Sequence, residues 1–339
     1  MTDTITIRRP DDWHVHLRDG AMLNTVAPYT ARQFARAIVM PNLAPPVTSV
    51  AQASAYRDRI IAATGPDFTP LMTAYLTNDS DPDEIARGHA DGVWIAAKLY
   101  PAGATTNSSA GVTDIARISR VLARMEAIGM PLLVHGEVTD PDVDVFDREA
   151  VFIDRVLTGL VRDFPALKIV FEHITTRHAS EYVADAPATV AATITPQHLM
   201  LNRNALFAGG LRPHAYCLPV VKREEHRLAV RRAAVSGSPK FFLGTDSAPH
   251  VAAAKESSCG CAGLFTAPFA LEAYAQVFDE ESALDQLEGF ASLHGPAFYG
   301  LPDNPGMVTL ERVPVEVPAV IGDVVPFCAG EQLGWRMVS

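Results

Sequence analysis

Side chains that bind metal ions or move protons recur at the ends of short apolar runs in this chain. They are His14 and His16 in DDWHVHLRDG, Lys98 in WIAAKLYP, His135 in PLLVHGE, His173 in IVFEHIT and Asp246 in FFLGTDSAPH. Imidazole and carboxylate are ligands for Zn2+ and similar ions. Alternate residues of a strand share a face, so His14 and His16 point the same way and can grip one ion while Val15 points into the opposite layer. Taken singly, each histidine reads as a core residue bonded to backbone. Taken together they read as two metal sites, with His14, His16 and Asp246 on one ion and His135 and His173 on the other. Two-metal sites hold their ions ~3.5–4 Å apart, and metal binding lowers the pKa of water from ~16 to roughly 7, so a hydroxide between the ions is a nucleophile near neutral pH. Asp246 is the candidate general acid/base that takes the proton and delivers it to a leaving nitrogen.

Lys98 needs its own argument. An ammonium beside two divalent cations is repelled. The residue is therefore a neutral amine, stands outside the ligand shell, or is modified. Carboxylation by CO2 would turn it into a carbamate whose two oxygens can bridge two ions. From the residues alone, a surface or supporting lysine is the plainer reading.

Substrate contacts are expected nearby. Arg18 follows two residues after His16 and faces the same way, and arginine grips a carboxylate bidentately. Asn42, at the end of the second apolar run in VMPNLAPP, and His250, in SAPH, are candidates to share that anion. The segment 103–108, Gly-Ala-Thr-Thr-Asn-Ser, has the small polar composition of a mobile lid just past Lys98. For each of these the plain alternative is a surface residue, a local cap or an ordinary loop.

Eight apolar runs must position these groups: Asp12–Leu17, Arg36–Pro41, Phe68–Leu76, Gly92–Tyr100, Met130–His135, Lys168–Ile174, Val190–Thr195 and Lys240–Asp246. Most are continuous rather than alternating, as parallel strands covered on both sides require. Helical patterns lie between them. Ile115, Ile118, Leu122, Met125 and Ile128 form one stripe, with Thr113 as its expected N-cap and Gly129 as its end. Ile153, Val156, Leu157 and Leu160 form another. Thr48 or Ser49 is expected to cap a helix through Ile60 and Ile61, and residues 222–235 read as helical. Eight strands alternating with helices predict a (β/α)8 TIM barrel, with the chemistry on the face where the strands end. The chain is expected to be a single catalytic domain over 1–339, in which about 300–339, including strand-like Met307–Val313, pack on the barrel as a C-terminal extension.

The totals agree with an enzyme of this kind. The 339 residues are 48% hydrophobic and 20% charged, enough for a large core. The net charge of -11 argues against nucleic-acid and anionic-membrane partners. Cys217, Cys259, Cys261 and Cys328 form neither a CxxC pair nor a disulfide framework, so reduced thiols are expected over a thiolate metal site in SCGCAG. MTDTITIRRPDD lacks the apolar core of a signal peptide. No run is long enough to span a bilayer, and a cytoplasmic location is expected.

The stretches DDWHVHLRDG, VMPNLAPPVT, KLYPAGATTNS, LLVHGE, FEHITT, ATITPQHL, RPHAYCLPVVKR, LGTDSAPH and KESSCGCAG resemble the dihydroorotase family of the amidohydrolase superfamily, in its compact bacterial form. The resemblance runs from about residue 11 to 263 and weakens beyond about 270. It implies the reversible, zinc-dependent cyclisation of N-carbamoyl-L-aspartate to L-dihydroorotate in pyrimidine biosynthesis. It implies two zinc ions per chain, bridged by N-carboxylated Lys98 and a hydroxide, with His14, His16, His135, His173 and Asp246 as the other ligands. It implies substrate contacts from Arg18, Asn42 and His250, backbone contacts at Leu218, Ala262 and Gly263, and a substrate-sensing loop carrying Thr105 and Thr106. CGCAG then reads as a substrate-binding loop, and a homodimer is implied. A hydantoinase or allantoinase would share the metal face but needs no carboxylate clamp. A non-catalytic partner of aspartate transcarbamoylase would have lost metal ligands that are all present here.

Overall fold

Eight parallel strands pair in chain order: β1 (Asp11–Val15), β2 (Arg36–Val39), β3 (Thr69–Tyr75), β4 (Trp94–Leu99), β5 (Leu132–Val134), β6 (Ile169–Phe171), β7 (Val190–Ile194) and β8 (Phe241–Leu243). The structure, a computed structural model, describes residues 3–258 and 260–338. The ring closes at the C-terminal strand ends. There the His16 amide donates to Ser247 O and the Asp246 amide to His14 O, both at 2.9 Å. The architecture is the predicted (β/α)8 barrel. Each strand falls on one of the eight predicted runs, β1 starting one residue ahead of its run at Asp11, and is shorter than it, because the run continues past the last ladder bond into the site.

Period-2 alternation separates two cores. Residues such as Val39, Leu99, Val134, Phe171 and Leu243 point outward and pack against the helices. Trp13, Ile38, Met40, Ala96, Leu133, Val170, Ala191 and Phe242 fill the barrel interior. Helix His294–Tyr299 covers the base, where the Tyr299 ring stacks on Trp13 with centroids 4.5 Å apart. Two residues above the interior layer stand polar side chains: Asn42 above Met40, Lys98 above Ala96, His135 above Leu133 and Glu172 above Val170. One apolar layer thus serves as the floor under the next, polar one.

The helices follow their local chemistry, with one correction. Ser49 caps Val50–Thr64 through a capping box with Gln52, and Gly129 ends Ser119–Ile128 in a left-handed conformation at φ 72°. The expected cap Thr113 does not cap. Asp114 accepts from the Ala116 amide and starts a 3-10 turn at Ile115, while the Thr113 amide and hydroxyl bond to Asn78. Two donors on one neighbouring amide outcompete the helix for that threonine. The second predicted stripe is the segment Arg148–Asp163, helical throughout with a π-helical turn at Ile153–Leu157. The predicted helix over 222–235 spans Glu224–Ala234.

An N-terminal strand that the apolar runs did not announce, Thr4–Arg8, pairs antiparallel with Met307–Glu311, which pairs in turn with Arg336–Met337. Single bridges tie Val324 to Val251 and Pro326 to Phe265, beside the loops that follow β8. No helix among the described residues is long and apolar enough to cross a membrane.

Candidate active site

The ends of β1 and β8 bring three ligand-type atoms into one small triangle. His14 Nε2 and His16 Nε2 lie 3.2 Å apart, and Asp246 Oδ1 lies 3.3 and 3.2 Å from them. The centre of such a triangle is about 1.9 Å from each corner, close to the ~2.0–2.2 Å of zinc–nitrogen and zinc–oxygen bonds. Burial comes first in holding both imidazoles below the ordinary histidine range, and for His14 the charges of Lys98, His16 and His135 add to it. Two neutral imidazoles and a carboxylate around one point are a fitting donor set for a divalent cation.

A second cluster adjoins the first. The His173 ring lies 4.9 Å from that of His14 and 4.8 Å from that of His135. His135 Nε2 is tied to Glu137 Oε2 at 2.8 Å, which leaves Nδ1 as the ring nitrogen not engaged by that carboxylate. Buried His173 Nδ1 has no hydrogen-bond partner among the described residues. Lys98 is fully buried, contacts Glu172 Oε2 and lies 4.7 Å from the Tyr100 ring centroid. Glu172 Oε1 sits 2.9 Å from His14 Nδ1. Burial holds the Lys98 ammonium well below the usual lysine range, because an apolar enclosure disfavours the charged form.

Backbone conformation aims three of these residues. Arg18, His173 and Asp246 have φ of 59°, 44° and 44°, in the left-handed region that side chains other than glycine seldom occupy. At His173 the effect is plain. Ile169 and Phe171 point outward and strict alternation would send His173 with them, but the reversed φ turns it into the site. Such strain persists where surrounding contacts over-determine it. Here the Thr193 hydroxyl accepts from the His173 amide at 2.8 Å, and the Asp246 amide closes the barrel.

The rim of the pocket comes from loops. Arg18, Asn42, Thr105, Thr106, Leu218, Ala262 and Gly263 line the same pocket as the four histidines and Asp246. His250 stands just behind them, with Nε2 3.0 Å from both Arg18 Nη2 and Ala262 O. Those contacts are alternatives, since a protonated Nε2 donates to Ala262 and an unprotonated one accepts from Arg18. Burial, with help from the Arg18 charge, lowers His250 to about 3, so the ring is neutral. Asn42 is already engaged on both sides: its Oδ1 accepts from His16 Nδ1 at 2.8 Å, and its amide nitrogen donates to Thr106 O at 3.1 Å. The 105–108 loop folds over the pocket, with the Thr106 hydroxyl 3.4 Å from Ala262 O. Gly263, at φ 139°, brings the backbone so close that a Cβ would strike the Ala248 carbonyl.

Every predicted ligand and contact residue therefore gathers in one place. Missing from the prediction are the side chains that hold them. Asp12 accepts from the Thr245 hydroxyl and amide at 2.6 and 2.8 Å and from the His14 amide at 3.2 Å, and its burial raises its carboxyl to about 7. Alternation from His14 and His16 pointed to it. Alternation from Lys98 and His135 likewise pointed to Tyr100 and Glu137. Glu149 had no such signal. It lies outside the apolar runs, yet its carboxylate accepts from the amides and hydroxyls of Thr175 and Thr176, just past His173. Cys217, Cys261 and Cys328 are free thiols. Cys259, of the SCGCAG segment, lies outside the described residues.

Residues 10–311 match the amidohydrolase family. The chain is 72% identical to a dihydroorotase of Sphingopyxis alaskensis over 100% of both chains, and 68% identical to one of Parasynechococcus marenigrum over 99% of both. Among solved structures, it superposes on a dihydroorotase of Saccharomyces cerevisiae in complex with 5-fluoroorotic acid with a TM-score of 0.93, at 36% identity and 99% coverage of both chains. An L-hydantoinase of Arthrobacter aurescens shares the fold alone, with a TM-score of 0.84 and 16% identity over 98% of this chain and 83% of that one.

Proposed function

The chain belongs to the amidohydrolase family and to the dihydroorotases within it; from that premise we propose that the pocket above the barrel is where N-carbamoyl-L-aspartate and L-dihydroorotate interconvert. The chain is a hydrolase of cyclic amide C–N bonds that serves pyrimidine biosynthesis. Ring closure joins the ureido nitrogen to the side-chain carboxyl carbon and expels one oxygen as water. A dianion becomes a monoanion, so closure takes up one proton and rising pH favours the open chain.

In this proposal His14, His16 and Asp246 would hold one zinc ion and His135 and His173 the other, with N-carboxylated Lys98 as the anionic ligand they would share. Bound there, divalent ions supply Lewis acidity toward the amide carbonyl and acidify water. The rest is the work of side chains. Asp246 takes a proton from the attacking water and hands it to the departing ring nitrogen, and in the reverse direction protonates the oxygen that is lost. Arg18 pairs with the carboxylate retained in the ring, beside Asn42 and His250. The backbone of Leu218, Ala262 and Gly263 and the hydroxyls of Thr105 and Thr106 enclose the ring and exclude water. At Lys98 the neutral amine adds to CO2, an N–C bond forms and one proton leaves. The burial that disfavours its ammonium supports this step.

The triangle of His14, His16 and Asp246 beneath an arginine-edged pocket is the observation that carries the reading. Its test is turnover of L-dihydroorotate, followed by ultraviolet absorbance, with metal content measured on the same sample. Turnover with about two metals per chain supports it. A metal-replete protein that leaves L-dihydroorotate intact and opens hydantoins overturns the substrate. A cytosolic homodimer with no nucleic-acid partner belongs to the same proposal, supported by family resemblance and by the net charge of -11. So does the reading of 300–339 as an extension of the one catalytic unit, supported by the pairing of Thr4–Arg8 with Met307–Glu311.

A further inference from the structure

Lys255 is the lysine that opens KESSCGCAG and closes the short helix Ala252–Lys255. It is a buried cation, 4% exposed. Among the described residues its ammonium is not matched to a carboxylate. It donates to three backbone carbonyls instead: Tyr216 O at 2.9 Å, Cys261 O at 2.9 Å and Gly263 O at 2.7 Å. An ammonium has three protons, so this set of acceptors saturates it.

The acceptors belong to two segments distant in sequence, and both edge the pocket. Tyr216 lies two residues before Leu218. Cys261 and Gly263 flank Ala262. Directly between the segments runs a backbone bond from the Gly263 amide to Tyr216 O, at 3.0 Å. Tyr216 O thus receives both that amide and the lysine. The intervening carbonyl, Ala262 O, faces the other way, toward His250 and Thr106. Loops of this kind lack a ladder of their own, and their geometry is only as definite as the groups that tie them.

We propose that Lys255 is the positioning residue of the substrate rim, clamping the 216–219 and 260–264 segments together so that the backbone at Leu218, Ala262 and Gly263 presents a fixed surface to the substrate ring. The inference rests on the proposed function above, in which those three residues border the ring. Lys255 touches no reacting atom and acts through the loops it ties.

The clamp has a built-in pH dependence. Burial lowers the Lys255 ammonium to about 8. The groups facing it are Arg18 and His250 from the pocket side, the Tyr216 ring and Cys217 from one segment, and Cys261 from the other; Glu256, next along its own helix end, is bonded to His214. Below pH 8 all three donors are in place. Above it the neutral amine keeps two protons for three carbonyls, and the rim loosens.

The experiment uses Lys255→Met and Lys255→Arg in the metal-loaded full chain. Lys255→Met is expected to raise KM for L-dihydroorotate about tenfold with kcat within about threefold and metal content unchanged. In ligand-free protein, amides of 216–219 and 260–264 should exchange with solvent at least tenfold faster, while those of the barrel strands keep their rates. The wild type should show KM rising severalfold from pH 7 to pH 9, and Lys255→Arg, charged throughout, should keep KM flat over that range. This pH comparison stands alone if Lys255→Met does not fold. Unchanged KM in Lys255→Met, a parallel loss of kcat and metal, or the same alkaline rise in Lys255→Arg would overturn the proposal. A wild type inert toward L-dihydroorotate would bring down the function instead, and the exchange rates would still judge the clamp.

Discussion

The proposed metal floor and the proposed substrate rim are built on opposite plans. On the floor the working groups are side chains at strand ends, several of them set against a second side chain: His16 against Asn42, His135 against Glu137, His14 and Lys98 against Glu172. On the rim much of the working surface is backbone on loops, and a buried cation gathers it through carbonyls. The difference teaches a division of labour. Fixed side chains converge on ions that need definite ligand geometry, whereas a rim of backbone and hydroxyls can close over an organic ring and open again.

The largest effect should fall on the floor. Lys98→Ala removes the one proposed bridging anion, and kcat should fall at least ~10^3-fold, the scale of a lost catalytic group, together with metal content. Added short carboxylic acids should restore part of both, and full activity without them would dispose of the carbamate. Stripping metal with a chelator should abolish turnover while circular dichroism keeps the barrel signature, since the strands do not depend on the ions.

The next pair separates the two regions directly. Glu172→Gln weakens the hold on His14 and Lys98 and should lower metal affinity about 10- to 100-fold, read by competition with a chromogenic chelator, with little change in KM. Arg18→Ala should do the reverse. Losing charge-assisted bonds worth about 1.5–3 kcal/mol raises KM about 10- to 100-fold, and metal content should stay intact. If Arg18→Ala sheds metal, Arg18 belongs to the floor and the division fails. The smallest effect is expected from Thr106→Val. It removes one exposed-side hydroxyl contact worth about 1 kcal/mol, so KM should rise about fivefold or less at unchanged kcat.

Legibility differed between the regions for a physical reason. Period-2 alternation and the run ends located His14, His16, Lys98, His135 and Asp246, because a strand ties residue spacing to side-chain direction. His173 was located by its place at a run end, though strict alternation would have turned it outward; only its positive φ brings it in. The rim residues Leu218, Ala262 and Gly263 entered through family resemblance alone, since a backbone contact leaves no mark in residue type. Glu149 and Lys255 carried no local signal at all. Each is an ordinary charged residue until a distant loop is folded against it.

The alternating apolar runs by themselves determined that this chain forms a (β/α)8 barrel and that its metal-type side chains share one end, because burial on two faces and strand periodicity act locally. Only tertiary structure decided the 3.2–3.3 Å triangle of His14, His16 and Asp246, the pairing of Lys98 with Glu172, and the convergence of two remote loops on one ammonium. Those depend on closing the ring between its first and last strands and on burying charges whose partners lie far along the chain.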